Sequence, residues 1–330
     1  MYSKILVALD GSDYSLAGGE IALSIAEGQG SEIIASHIYD AKLHSRRFQE
    51  MEPVLPDSYQ NEDLLSQYRE AHKDLIFEGF EALSKGYLER FLARAKGKGI
   101  PITQDHREGR HYIRLLEIAA ERSIDLVVLG AYGLGSVDDD CMGSAAIRVL
   151  RSATCDVLLT RHGSHSGNIL AGIDGSREAL DALRTAVFWA GTLKKSLHIA
   201  SAYDPCFHSQ VFKTMAGSLS TERQDEVGLN KQEALHEQFI DRSLERLYQI
   251  FLDQALEICR EMNIQAEGRL LQGKAYQALL AQSQEVNADL VVVSRYGHHH
   301  DDSVDIGSNA EALARRARIN VLVTSKTHHE

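Results

Sequence analysis

Apolar positions along this chain fall in short unbroken runs that alternate with longer stretches of helical spacing. Ile5-Leu6-Val7-Ala8-Leu9 has the pattern of a strand buried on both faces. Asp10-Gly11-Ser12 closes it as a turn, and the spacing predicts a helix from about Ser15 to Glu27. Ile33 to Ile38 predicts a second strand. Residues 41 to 63 hold Pro53 and Pro56, two of the four prolines, and predict an irregular crossing. A long helix over roughly 64 to 98, a weaker strand over Ile100 to His106 and a helix over 111 to 122 follow. Leu126-Val127-Val128-Leu129 is the clearest strand pattern. A glycine-rich loop over 130 to 142 leads to a helix near Ser144, and Val157-Leu158-Leu159 closes the set.

The same order is then written again. Asp10-Gly11-Ser12 recurs as Asp174-Gly175-Ser176, 164 residues later, and the same shift carries Tyr39-Asp40 onto Tyr203-Asp204. It also carries Gly109 onto Gly273, Tyr112 onto Tyr276, Asp125-Leu126-Val127-Val128 onto Asp289-Leu290-Val291-Val292, and Gly143-Ser144 onto Gly307-Ser308. A period this long exceeds any solenoid repeat, so each copy is a whole domain. Alternating strand and helix predict an α/β class. The expected arrangement is two tandem three-layer domains, 1–163 and 167–330, each an open parallel five-stranded sheet with helices on both faces. His162 to Gly167, small and polar, is the expected linker.

The long helices raise a question of fit. About 35 residues span about 52 Å, against a domain diameter of roughly 40 Å. The first therefore bends, at Gly79 or Gly86, or overhangs its sheet. Leu65, Tyr68, Leu75, Ile76, Phe80, Leu83, Tyr87 and Phe91 form its apolar stripe, and Phe239, Leu244, Leu247, Phe251 and Leu256 form the other. Packing on their own sheets is the plain expectation for these stripes.

Charge and composition narrow the function. The 330 residues carry a net charge of −12 with no basic block, which argues against nucleic acid as a partner. Four scattered cysteines, no signal peptide and no apolar run of membrane length predict a cytoplasmic protein without membrane contact.

The chemistry concentrates where strands end. Ligands of open parallel sheets bind beyond the carboxyl ends of the strands. There the first half places Asp10-Gly11-Ser12, Ile38-Tyr39-Asp40 and the loop after Leu129, which reads Gly130-Ala131-Tyr132-Gly133, nine residues, then Gly143-Ser144. Glycines admit an anion close to the backbone, and Ser144 opens a helix whose N–H groups face the same point. The spacing alone fits a tight strand-to-helix connection equally well. No Gly-Lys-Ser/Thr is present, so this is not a Walker A loop.

With its strand, Asp-turn and Gly-x2-Gly-x9-Gly-Ser order, the chain resembles the universal stress protein family, and its duplication resembles the tandem members. The resemblance covers both halves. It implies ATP or another adenine nucleotide as ligand. Carried over by position, Asp10 would sit by the ribose and adenine end, and the Ile38 backbone would meet the adenine. Leu129, Gly130 and Gly133 would line ribose and phosphates, and Gly143, Ser144 and Ala145 would cradle the phosphates. An Asx hydrogen bond within its own turn is a structural alternative for Asp10.

Two departures stand out. The spacer of the first half holds Asp138-Asp139-Asp140 and no Lys or Arg, so a triphosphate there calls for Mg²⁺ or Mn²⁺, or gives way to AMP or ADP. In the second half the first glycine is Ser294, which predicts a blocked, degenerate site. Its spacer, His298-His299-His300-Asp301-Asp302, offers metal donors, yet three adjacent histidines converge poorly on one ion and a solvated loop is the expectation.

The leading expectation is thus a nucleotide-binding regulatory protein of the stress response, with the ligand in the first domain and the output a change of partner or oligomer. A scaffold with both sites vacant is the alternative. A slow ATPase or nucleotidyl-transfer enzyme ranks lower, because the loop supplies no cationic clamp. As in tandem relatives, the halves are expected to pair as a pseudo-dimer through their last strands, and two chains to form a homodimer. Arg148, Arg151, Arg315 and Arg316 read as helix-surface charges.

Overall fold

The structure is a computed structural model that describes residues 2–134, 141–163, 166–205, 214–215, 218–220, 223, 242–298 and 305–325. The chain divides into two compact units, residues 1–163 and 164–330.

The first unit runs β1 (Lys4–Ala8), α1 (Asp13–Ala26), β2 (Glu32–Tyr39), α2 (Ala41–Met51), α3 (Glu62–Ala95), β3 (Ile102–Glu108), α4 (His111–Glu121), β4 (Leu126–Gly130), α5 (Ser144–Ser152) and β5 (Asp156–Thr160). All strands are parallel, in the order β3-β2-β1-β4-β5, with Ile5 beside Ile33 on one side and Leu126 on the other. Helices α1 and α3 pack together on one face, α4 and α5 on the other. Ile5, Leu6, Val7, Val127 and Val128 are buried because both faces are covered, which is why their runs are continuous rather than alternating.

The second unit repeats this with β6 (Asn168–Ile173), α6 (Arg177–Leu193), β7 (Leu197–Tyr203), α7 (Arg242–Glu261), β8 (Ala266–Gln272), α8 (Ala275–Glu285), β9 (Ala288–Ser294), α9 (Ser308–Arg316) and β10 (Asn320–Thr324). Its parallel order is β10-β9-β6-β7-β8.

Several recurring residues explain themselves as scaffolding. The Asp125 carboxylate accepts from the N–H groups of Ser3 (2.7 Å) and Lys4 (2.9 Å), which anchors the start of β1. Asp289 does the same from Gly167 N–H (3.0 Å), with the Lys195 ammonium as a buried partner. Gly109 and Gly273 adopt φ of +135° and +114°, and their N–H groups bond the carbonyls of Tyr39 and Tyr203. Tyr112 and Tyr276 are platforms for the guanidinium groups of Arg148 and Arg316.

The segment over 41–63 corrects the sequence expectation. It begins with an eleven-residue helix, capped by the Asp40 carboxylate, which accepts from Leu43 N–H at 3.0 Å. Pro53 lies in the 3₁₀ turn after Met51 and Pro56 just before the next, so the prolines end the helix instead of preventing it. The α3 stripe also departs from simple sheet packing. Leu65, Leu88 and Phe91 are buried, whereas Tyr68, Leu75 and Leu83 are exposed. Helix α3 stays continuous through Gly79 and Gly86. Its middle is flanked by α2 through the stacked rings of Phe48 and His72, and Arg69 reaches back to Glu52 beyond α2 in a two-pronged ion pair. In α7 the buried positions are Leu252, Ala255 and Cys259; Phe239 lies outside the described residues.

Candidate functional site

Strand order in the first unit reverses between β1 and β4, and the loops beyond that point converge. The Asp10 Oδ1 accepts from Ser12 N–H (3.0 Å) and Ser12 Oγ (2.5 Å), and Ser12 Oγ in turn accepts from Ser15 N–H to cap α1. The expected Asx turn is therefore present. Gly11 is required here: its φ is +80°, and a Cβ would lie 2.3 Å from the Tyr87 ring. The second carboxylate oxygen, Oδ2, faces Gly133 and accepts no hydrogen bond among the described residues.

On β2, Leu9 N–H donates to the Ser36 carbonyl and Gly109 N–H to the Tyr39 carbonyl, on opposite sides of the strand. Main-chain groups of alternate residues point to alternate neighbours. The Ile38 N–H and C=O therefore point to the β1 side, past the residue at which β1 ends.

Gly130 sits where a Cβ would lie 2.9 Å from the Tyr132 carbonyl. After the loop, Gly143 N–H bonds the Ala131 carbonyl (2.8 Å), and α5 starts with no side-chain cap. Its first N–H groups are thus available to an anion.

These elements enclose a cavity of about 800 Å³. All eight sequence-derived positions line it: Asp10, Ile38, Leu129, Gly130, Gly133, Gly143, Ser144 and Ala145. Phe80 and Tyr87 line it beside the rings of Tyr39 and His37 of β2, and Leu115 of α4 lines it as well. The volume is in the range of small-molecule sites. The Ser36 hydroxyl, fully buried in the same wall, has no partner among the described residues.

Sequence reasoning did not assign His37, Phe80, Tyr87, His111, Leu115 or Cys141 to the site. His37 alone left a signal, a polar residue inside an apolar strand run. The residue is 7 % exposed and its Nδ1 is 2.7 Å from Ser84 Oγ. Burial lowers its pKa to about 4; nearby His111 and His106 add to the effect and Asp10 opposes it.

The second unit builds the equivalent turn with both carboxylate oxygens engaged. Asp174 Oδ1 accepts from Ser176 as Asp10 does from Ser12, but Asp174 Oδ2 also accepts from His298 N–H at 2.9 Å. The Ser294 hydroxyl folds back to donate to the Tyr296 carbonyl (2.6 Å). The cavity is about 380 Å³, and Tyr248, Arg295 and His298 line it where the first unit has Ser84, Ala131 and Leu134.

Among the described residues, no group of three or more His, Cys, Asp or Glu side chains could hold a metal. Asp138, Asp139 and Asp140, and His299, His300, Asp301 and Asp302, lie outside the described residues. No helix among the described residues is long and apolar enough to cross a membrane.

Comparison with known proteins accounts for both halves. The model of the universal stress protein family matches residues 1–161 and again 165–325. A universal stress protein of Thermus aquaticus is 30% identical over 167 residues, which is 49% of this chain and 100% of that protein. One from Methanocaldococcus jannaschii is 27% identical over 161 residues, 49% of this chain and 83% of the relative. Among solved structures, a universal stress protein from Archaeoglobus fulgidus has a TM-score of 0.61 at 18% identity, over 99% of this chain and 97% of its own, and shares the fold.

Proposed function

The chain belongs to the universal stress protein family as a tandem member, and we propose that its first domain binds an adenine nucleotide to regulate a stress response. The carrying observation is the first-unit cavity, walled by the rings of Phe80 and Tyr87 on the β2 side and bordered by the uncapped start of α5. A base fits the one and phosphates the other. The unspent Asp10 Oδ2 between them suits a ribose hydroxyl, and the Ile38 main chain suits a base edge.

Holding is favoured over turnover. The described walls of the cavity contain no Lys or Arg to clamp a γ-phosphate. The ligand then works as a switch, by preferring one of two conformations or assemblies. The acidic run Asp138–Asp140 gives Mg²⁺ or Mn²⁺ a role in accepting ATP, and without metal ADP or AMP is preferred.

Mass spectrometry of nucleotides released on denaturing the purified chain, followed by titration with ATP and Mg²⁺, tests this reading. One adenine nucleotide per chain supports it. A flat titration overturns it and puts the scaffold reading first.

A further inference from the structure

His37 is a polar side chain, nine-tenths buried, in the wall of the first-unit cavity, and its hydrogen bonding can be resolved atom by atom. Ser84 Oγ is 2.8 Å from the Phe80 carbonyl and 2.7 Å from His37 Nδ1. A hydroxyl carries a single hydrogen, and a carbonyl can only accept. We assign the Ser84 proton to the Phe80 carbonyl, and with that assignment Nδ1 carries the proton that it donates to Ser84. With the imidazole kept neutral by burial, Nε2 is left as a bare acceptor. No described residue bonds Nε2, and it is not among the buried polar atoms shut away from solvent. Tyr87 meets the ring edge-on at 5.1 Å and Tyr39 stacks at 6.3 Å, so the imidazole is held in one orientation.

On two adjacent cavity-lining residues of β2 the wall then has two acceptors, His37 Nε2 and the Ile38 C=O, and one donor, the Ile38 N–H. The pairing edge of a 6-aminopurine is the complement, with an amine that donates twice beside a ring nitrogen that accepts. A 6-oxopurine reverses both positions. We propose that His37 is a specificity-determining residue of this cavity, its Nε2 accepting from the exocyclic amine and so selecting 6-amino over 6-oxo purine nucleotides. The inference rests on the nucleotide reading of the same cavity and adds the side chain that reads the base.

Calorimetric titration of ADP and IDP into the full chain tests it, with wild type compared with His37→Phe, His37→Asn and His37→Gln. The wild type is expected to favour ADP. His37→Phe keeps the ring bulk, and His37→Asn keeps a donor for Ser84; each should lower the ADP/IDP preference by about tenfold. His37→Gln, which can place an oxygen near the Nε2 position, should restore most of it. An unchanged preference in a folded Phe or Asn variant overturns the role of His37 while leaving nucleotide binding intact. Binding of neither nucleotide by wild type overturns the nucleotide reading itself, and His37 with it. Long-range ¹H–¹⁵N spectra of the wild type need no variant: an unprotonated Nε2 that shifts with ADP and not with IDP is expected, and a protonated Nε2 in the free protein overturns the assignment.

Discussion

Asp10 spends one carboxylate oxygen on its own turn and keeps the other open toward Gly133, while Asp174 builds the same turn and commits its second oxygen to the His298 N–H. Around Asp10, small residues at 84, 130 and 131 leave about 800 Å³; around Asp174, Tyr248, Ser294 and Arg295 stand at those positions and about 380 Å³ remains. The strands and turns beneath are the same. One fold thus carries a larger and a smaller cavity, and the two differ in few side chains and in the partner of one carboxylate oxygen.

The sharpest way to break this comparison is to fill the glycines of each loop. Gly133→Val with Gly143→Val should weaken nucleotide binding by about 100-fold or more, because charge-assisted bonds from backbone N–H to phosphate are lost. The matched pair Gly297→Val with Gly307→Val should leave the bound nucleotide per chain unchanged. Nucleotide release measured by mass spectrometry decides. Equal losses from the two pairs would erase the asymmetry.

Acid separates the units next. The unfolded chain protonates His37 near pH 6.5 and the folded one only near 4. The stability present above pH 6.5 is therefore lost as pH falls to about 4, by up to about 3 kcal/mol. The second unit has Ser201 at the equivalent place. Hydrogen exchange should show this loss in the first unit alone, and His37→Asn should remove it. Trp189, the single tryptophan, is buried in α6 of the second unit, and His37→Asn should not alter the pH dependence of its fluorescence transition.

The aspartates sharpen the contrast further. Asp174→Asn should cost about 1–3 kcal/mol, because an amide cannot accept from Ser176 and His298 on both sides. Asp10→Asn keeps the Oδ1 acceptor and should change stability little, yet weaken nucleotide binding about tenfold. Denaturant melts and calorimetry of the two variants check this crossing of effects. The smallest effect belongs to Ser294→Gly, which should leave the second cavity without nucleotide, because Tyr248, Arg295 and His298 still line it. Nucleotide gained by that variant would make Ser294 the gate.

Much of the fold was legible because buried parallel strands write continuous apolar runs, and a duplication writes them twice. The eight candidate positions, which share one cavity, were picked out for a related reason: tight turns and close backbone approach favour glycine, and family resemblance supplied the rest. The α2 segment was misread because Pro53 and Pro56 were weighed without the Asp40 cap that starts a helix ahead of them. Tyr87 and Phe80 left no trace, since an aromatic in an amphipathic helix reads the same whether it lines a cavity or fills a core.

The sequence by itself determined the class of fold, the duplication and the place of the loops, all of which follow from local periodicity and backbone allowance. Only the tertiary structure decided which carboxylate keeps a free oxygen, which hydroxyl meets His37 and how much space each loop encloses. Those properties depend on residues brought together from distant parts of the chain: Ser84 against His37, Tyr87 against Gly11, His298 against Asp174. No pattern of neighbours along the chain encodes such meetings, because they are fixed by packing in three dimensions.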